Sequence, residues 1–205
     1  MRPSAVGSAG RRRRLGQTTS PGQARSRQAS GPRRRITGVV IVLGIDPGTA
    51  HTGYGVVARR SGRLSALDGG VVQTRPGLAA ERRLAIIHGA IVDLIDEHEP
   101  DAMALEDLYF GQNVRSAFAV GQARGVVMLA AGQRGVACSA YTPQQVKGAV
   151  CGNGRAHKDQ VARMVQTLLA LPRLPTPDHA SDALAVALCH AHRAPLAAAV
   201  GVLPA

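Results

Sequence analysis

Hydrophobic and polar positions follow first a strand-like and then a helix-like pattern along the chain. Residues 39–45 (VVIVLGI) are a β-branched apolar run and predict a strand buried on both faces. The run stops at Asp46-Pro47-Gly48-Thr49, a turn signal. Residues 52–58 predict a second strand, and 63–74 contain a third. Short polar links join the three, so an antiparallel meander is expected. The period then changes. Within 78–98, Leu84, Ile87, Ile91, Leu94 and Ile95 recur at helical spacing, and Glu99-Pro100-Asp101 ends the helix. Residues 102–106 predict a short central strand, 114–133 a helix of small residues and 137–141 another strand. Two helices are expected at 143–150 and 158–171. Thr176 as N-cap and Pro177 at the first helical position open a last helix reaching about His192. Three strands followed by alternating helix and strand predict an α/β fold around a mixed five-stranded sheet flanked by helices. In such a sheet the carboxyl ends of the buried strands stay open for chemistry.

Composition narrows the picture. A chain of 205 residues holds one domain or at most two small ones. With 2% aromatic residues and no Trp, its core is built from Ala, Val, Leu and Ile. No apolar run reaches the roughly 18–20 residues of a spanning helix, and no apolar segment near the start reads as a secretory signal. Cys138, Cys151 and Cys189 are odd in number and widely spaced. They argue against a disulfide framework or structural zinc and fit a reducing, cytoplasmic location.

The charge is concentrated at one end. Residues 1–38 hold ten arginines and no acid, which is +10 of the formal +12, leaving +2 for residues 39–205. That opening segment has no apolar periodicity and is expected to be disordered. It reads as a basic arm with non-specific DNA affinity, a transit peptide, or a dispensable extension. The expected organisation is therefore an Arg-rich extension at 1–38, one domain at 39–193 and a flexible end at 194–205. Lys147 and Lys158 are the only lysines among 25 basic residues.

Two acids sit where buried strands should end, Asp46 after the first and Glu106 after the strand that follows the long helix. A carboxylate there must face water or a partner, because burying it unpaired costs several kcal/mol. If the two strands are neighbours, the carboxylates share one edge and repel unless a divalent cation lies between them. The last helix adds Asp178, His179 and Asp182, with Asp182 able to share a face with either of the others. Asp178 also suits a helix start as a partner of the dipole. Asp182 interrupts an otherwise Ala/Leu-rich helix.

Taken together, VLGIDPGT (42–49), TGYGVV (52–57), ALEDLYF (104–110), GQARG (121–125), QVK (145–147) and SDALAVA (181–187) resemble the RuvC family of bacterial Holliday junction resolvases. The blocks stand in the family's order and span about residues 40–192. The resemblance implies a ribonuclease-H-like fold, a homodimer and Mg²⁺-dependent hydrolysis of two phosphodiesters at a four-way DNA junction. It implies 3′-hydroxyl and 5′-phosphate ends and a RuvA-RuvB branch-migration partner. It makes Asp46, Glu106 and Asp182 the acidic ligands, with two Mg²⁺ ions per site. The fourth position is His179, where many family members carry Asp. Imidazole suits Mn²⁺ better than Mg²⁺, so His179 leaves the metal preference open, and Asp178 is the alternative ligand. An aromatic at Tyr109 is implied to stack on junction bases, and Lys147 and Lys158 to hold the DNA backbone. Arg115 and Arg124 are further DNA-binding candidates.

Other classes fit less well. A sugar-kinase or actin-like ATPase shares the strand-then-D-x-G-T pattern but needs two such domains and a second Gly-rich loop. A transposase-type nuclease expects a large additional DNA-binding domain. A non-catalytic junction-binding protein has no need of four intact ligand positions.

Overall fold

The computed structural model describes Arg12–Arg14, residues 38–107 and residues 114–200, with side chains described over 38–107 and 117–193. Its strands are β1 (Arg12–Arg14), β2 (Val39–Asp46), β3 (His51–Arg60), β4 (Arg63–Gln73), β5 (Ala102–Glu106) and β6 (Ala137–Tyr141). Its helices are α1 (Ala80–His98), α2 (Val114–Gln133), α3 (Pro143–Cys151), α4 (Lys158–Leu168) and α5 (Asp178–Val200). The sheet order is β1-β4-β3-β2-β5-β6. β2, β3 and β4 form the expected antiparallel meander. β5 runs parallel to β2, and β6 parallel to β5.

Strand alternation decides which helices cover which face. Leu43, Ile45, Tyr54, Val56, Met103 and Leu105 point to one face, where Ile87, Ile91 and Leu94 of α1 and Val127 of α2 close over them. Val42, Val57 and Ala104 point to the other and pack with Val146, Val161, Val165, Leu184 and Leu188 of α3, α4 and α5. These apolar side chains leave water almost completely, each contributing roughly 1.5–3 kcal/mol.

α5 lies close to the sheet where glycines of β2 and β3 stand beneath it. A Cβ on Gly44 would collide with the carbonyl oxygen of Ala183, and one on Gly53 with that of His179. At Gly55 it would meet the Leu184 side chain at 2.7 Å. The glycines of the GID and TGYG segments are thus the seat of α5.

Three expectations need correction. Arg12–Arg14, placed in a segment expected to be without structure, pair antiparallel with Gly70, Val71 and Val72 of β4. The outer edge of β4 offers unpaired N–H and C=O groups, which accept an extended segment whatever its side chains. α5 begins at Asp178, not at Pro177; the Thr176-Pro177 peptide is cis, and the Pro177 carbonyl accepts from Ala180 N–H at the helix start. The helix also continues to Val200 instead of ending near His192, across the boundary expected at 193. Residues 196–200 (LAAAV) are helix formers, and Pro195 removes a single donor without stopping them.

Candidate active site

The register of β2 and β5 sets the site. Ile45 pairs with Leu105, so Asp46 and Glu106 stand one residue further on, side by side at the carboxyl edge of two parallel strands. Alternation from Val42 to Asp46 and from Ala104 to Glu106 turns both carboxylates toward the α5 face. α5 meets them there with His179 and Asp182, one turn apart. The Nδ1–H of His179 donates to Asp46 Oδ2 at 2.7 Å. One ligand atom each from Asp46, His179 and Asp182 fall within 4.8 Å of one another.

Glu106 borders the same cluster. It lines a cleft of about 200 Å³ with Lys147, Lys158 and Asp182, walled by Val146 and Val161. Burial, then the charges of Asp46 and Asp182, push its pKa up from 4.5 to about 7, against the pull of Lys158 and Lys147. Burial also raises Asp182, although Lys158 opposes the shift. For Lys158, burial favours the neutral amine, but its bonds to Asp182 and Asp178 outweigh that and raise its pKa. Its Nζ lies 3.1 Å from Asp182 and 3.3 Å from Asp178. Asp178 itself is 77% exposed and stands outside the three-residue cluster.

A divalent cation fits this donor set. Hard carboxylates and one imidazole converge, and their mutual repulsion is already visible in the raised pKa of Glu106. The Lys158 ammonium, held on Asp182, shows that the cluster attracts positive charge.

The remaining candidates fall in three places. Lys147 lines the same cleft as Glu106. Arg124 does not reach outward as a DNA-contacting side chain: its Nη1 donates to the Glu106 carbonyl at 2.7 Å, and its Nη2 lies 3.5 Å from Asp107. It braces the end of β5. Tyr109 and the side chain of Arg115 lie outside the described residues. One residue escaped sequence reasoning. His51, at the start of β3, stacks on His179 with ring centroids 5.6 Å apart and planes 9° from parallel. Its only sequence signal was a histidine five residues after Asp46, too weak to single out.

A mixed sheet in this order, with acids at neighbouring strand ends and on the helix crossing them, defines a ribonuclease-H-like nuclease. The family model for the crossover junction endodeoxyribonuclease RuvC matches residues 42–190. Crossover junction endodeoxyribonuclease RuvC of Pelotomaculum thermopropionicum is 50% identical over 153 residues, covering 75% of this chain and 93% of its own. The protein of that name from Moorella thermoacetica is 52% identical over 156 residues, covering 76% and 93%. The structure of Thermus thermophilus RuvC in complex with Holliday junction substrate superposes with a TM-score of 0.74 at 42% identity, over 77% of this chain and 96% of that one. The chain belongs to the RuvC family.

Proposed function

We propose that this protein resolves Holliday junctions in recombination and repair, cutting two phosphodiesters as a metal-dependent, structure-specific endodeoxyribonuclease. The observation that carries the reading is the convergence of Asp46, His179 and Asp182 beside Glu106 on the sheet edge of a RuvC-family fold.

Asp46, Glu106, Asp182 and His179 are the groups that would hold divalent cations, Mg²⁺ by the preference of carboxylates for it and Mn²⁺ by that of imidazole. Two bound cations would activate a water for attack on the scissile phosphate and stabilise the leaving 3′ oxygen. The chain's own residues do the rest. His179 donates its Nδ1–H to Asp46 in a hydrogen bond, a tautomer whose lone pair lies on Nε2. Lys147 and Lys158, which line the cleft with Glu106, supply positive charge for the phosphate, and displacement of the 3′ oxygen by water leaves 3′-hydroxyl and 5′-phosphate ends. Arg124 keeps Glu106 in place through its main-chain carbonyl.

Cutting a two-fold junction on two strands requires two sites, so the active species is a homodimer. α2 supports this. Phe118 and Leu129, eleven positions apart, share one helix face and are 68% and 54% exposed, with Met128 beside them at 45%. Tyr109 and Arg115 are further candidates for DNA contact. The Arg-rich segment before Val39, which joins the sheet at Arg12–Arg14, adds positive charge for non-specific DNA affinity. RuvA-RuvB is the branch-migration partner in the cytoplasm. Among the described residues no helix is long and apolar enough to cross a membrane.

The test is cleavage of a synthetic mobile four-way junction against a linear duplex, with and without Mg²⁺. Paired nicks in the junction alone, dependent on metal, are expected. Metal-dependent cutting of both substrates alike would point to a general nuclease instead, and tight junction binding without cutting to a non-catalytic role.

A further inference from the structure

One short segment touches His179 on three sides. Asp46 ends β2 and accepts a hydrogen bond from its Nδ1–H. Gly53, in β3, leaves room for its main-chain carbonyl against the sheet. Between them in sequence, His51 stacks parallel to its ring in an offset arrangement, centroids 5.6 Å apart. The connection that joins these contacts is tied at several points. Thr52 Oγ1 donates to the Gly48 carbonyl at 2.6 Å. Thr74 holds the other side, its N–H on the Ala50 carbonyl at 3.1 Å and its hydroxyl on the Thr49 carbonyl at 2.7 Å. A Cβ at Gly48 would strike the His51 carbonyl, so the turn is also sterically closed.

A single hydrogen bond at Nδ1 does not fix an imidazole. The ring can still swing about its side-chain bonds while keeping that contact, and Nε2, on the far edge, sweeps an arc. A parallel ring against its face removes that freedom. The His179 side chain is 45% exposed even with His51 beside it, so the ring is only partly enclosed.

We infer that His51 is a positioning residue: its stacked ring restricts the plane of His179 and thereby aims the imidazole into the cluster it forms with Asp46 and Asp182. His51 contacts neither the carboxylates' shared centre nor DNA in this role; it acts through His179. The inference deepens the nuclease reading and rests on it for the purpose of the aim, while the lock itself is a property of the chain alone. An aromatic pair is worth an amount that corresponds to about two- to tenfold in an equilibrium or a rate.

The experiment compares the full chain with His51→Ala and His51→Phe, the second keeping a ring face without ring nitrogens. Three measurements are made: the NMR signals of the His179 ring in metal-free protein, the Mn²⁺ dissociation constant by electron paramagnetic resonance, and single-turnover junction cleavage at saturating metal. In His51→Ala, the His179 ring signals should shift and broaden, Mn²⁺ should bind about three- to tenfold more weakly, and cleavage should slow by a similar factor. Junction affinity should stay unchanged. His51→Phe should restore Mn²⁺ binding and cleavage to within about twofold of the parent. Unmoved ring signals and unmoved Mn²⁺ affinity in His51→Ala would overturn the lock. A His51→Phe variant as impaired as His51→Ala would overturn it too, because ring nitrogens rather than a ring face would then matter. If the unmodified chain cuts no junction, the nuclease reading fails by itself, and the NMR and Mn²⁺ arms still decide the role of His51.

Discussion

The ammonium of Lys158 sits 3.1 Å from the carboxylate of Asp182, so a positive charge from α4 is already docked on the acidic cluster carried by α5. The pair is only partly screened by protein, with Lys158 55% and Asp182 28% exposed, and a pair of this kind contributes at most about 1 kcal/mol. It is therefore cheap to break. An arriving phosphate would compete for Lys158 and leave Asp182 free for a cation, which would couple substrate capture to assembly of a metal site.

If Lys158 moves to phosphate in this way, Lys158→Gln should weaken junction binding in Ca²⁺ and lower the slope of log affinity against log salt by about 0.9. Titrations at several salt concentrations read this directly. An unchanged slope would mean that Lys158 stays with Asp182 in the complex.

The acidic positions should separate binding from chemistry. Asp46→Asn, Glu106→Gln and Asp182→Asn are each expected to lose cleavage by at least about a hundredfold while junction affinity stays within a few-fold. His179→Asp should keep cutting in Mg²⁺, since a carboxylate is the better ligand for that ion. Single-turnover cleavage with gel-shift binding gives both quantities. An acid-to-amide variant retaining a tenth of the parent rate would remove that residue from the metal shell.

Glu106 makes the metal-free protein sensitive to pH. Folded, its carboxyl keeps its proton to about pH 7, against 4.5 for an ordinary glutamate. Between those values the folded state binds more protons than the unfolded one, so stability falls as pH rises and levels off above about 7. The change is on the order of 2–3 kcal/mol, and Asp182 adds to it with the same sign. Thermal unfolding in EDTA from pH 4 to 8 should show the decline, and Glu106→Gln should flatten most of it. Equal slopes in the two proteins would place the titration elsewhere.

Gly44→Ala tests the seat of α5. The new methyl group meets backbone atoms of Ala183 and Ala187, which cannot turn aside. A loss of about 3 kcal/mol or more is expected in urea unfolding. Gly89→Ala, in the exposed part of α1 with nothing nearby, should be neutral or stabilising by up to about 1 kcal/mol. Similar costs at both positions would rule out the close approach as the cause.

The long elements were legible because their periodicity is strong. β5, α2 and β6 occupy the predicted residues, and α1 begins within two residues of its expected start. Asp46, Glu106 and Asp182 were visible as acids out of place in apolar surroundings. What periodicity cannot show is neighbourhood. That β2 lies beside β5 is a pairing between segments about sixty residues apart, and it alone makes Asp46 and Glu106 companions. Arg124 looked like any cation on a helix surface until its contact with the Glu106 carbonyl was seen. The stack of His51 on His179 was hidden for the same reason: a lone histidine in a turn carries no pattern. The β1 pairing was invisible because an edge strand can be held by main-chain bonds without any apolar code.

The glycine seat beneath α5 also governs when the protein becomes dangerous to DNA. Asp46 and Glu106 are synthesised early, whereas His179 and Asp182 arrive more than seventy residues after Glu106, on a helix that must settle against bare backbone at Gly44 and Gly53. A growing or partly opened chain therefore holds two of its acids without the other half of the cluster. If nicking needs all four side chains, it would appear only with the completed fold, and the close fit of α5 on Gly44 and Gly53 would then delay it until the chain is whole.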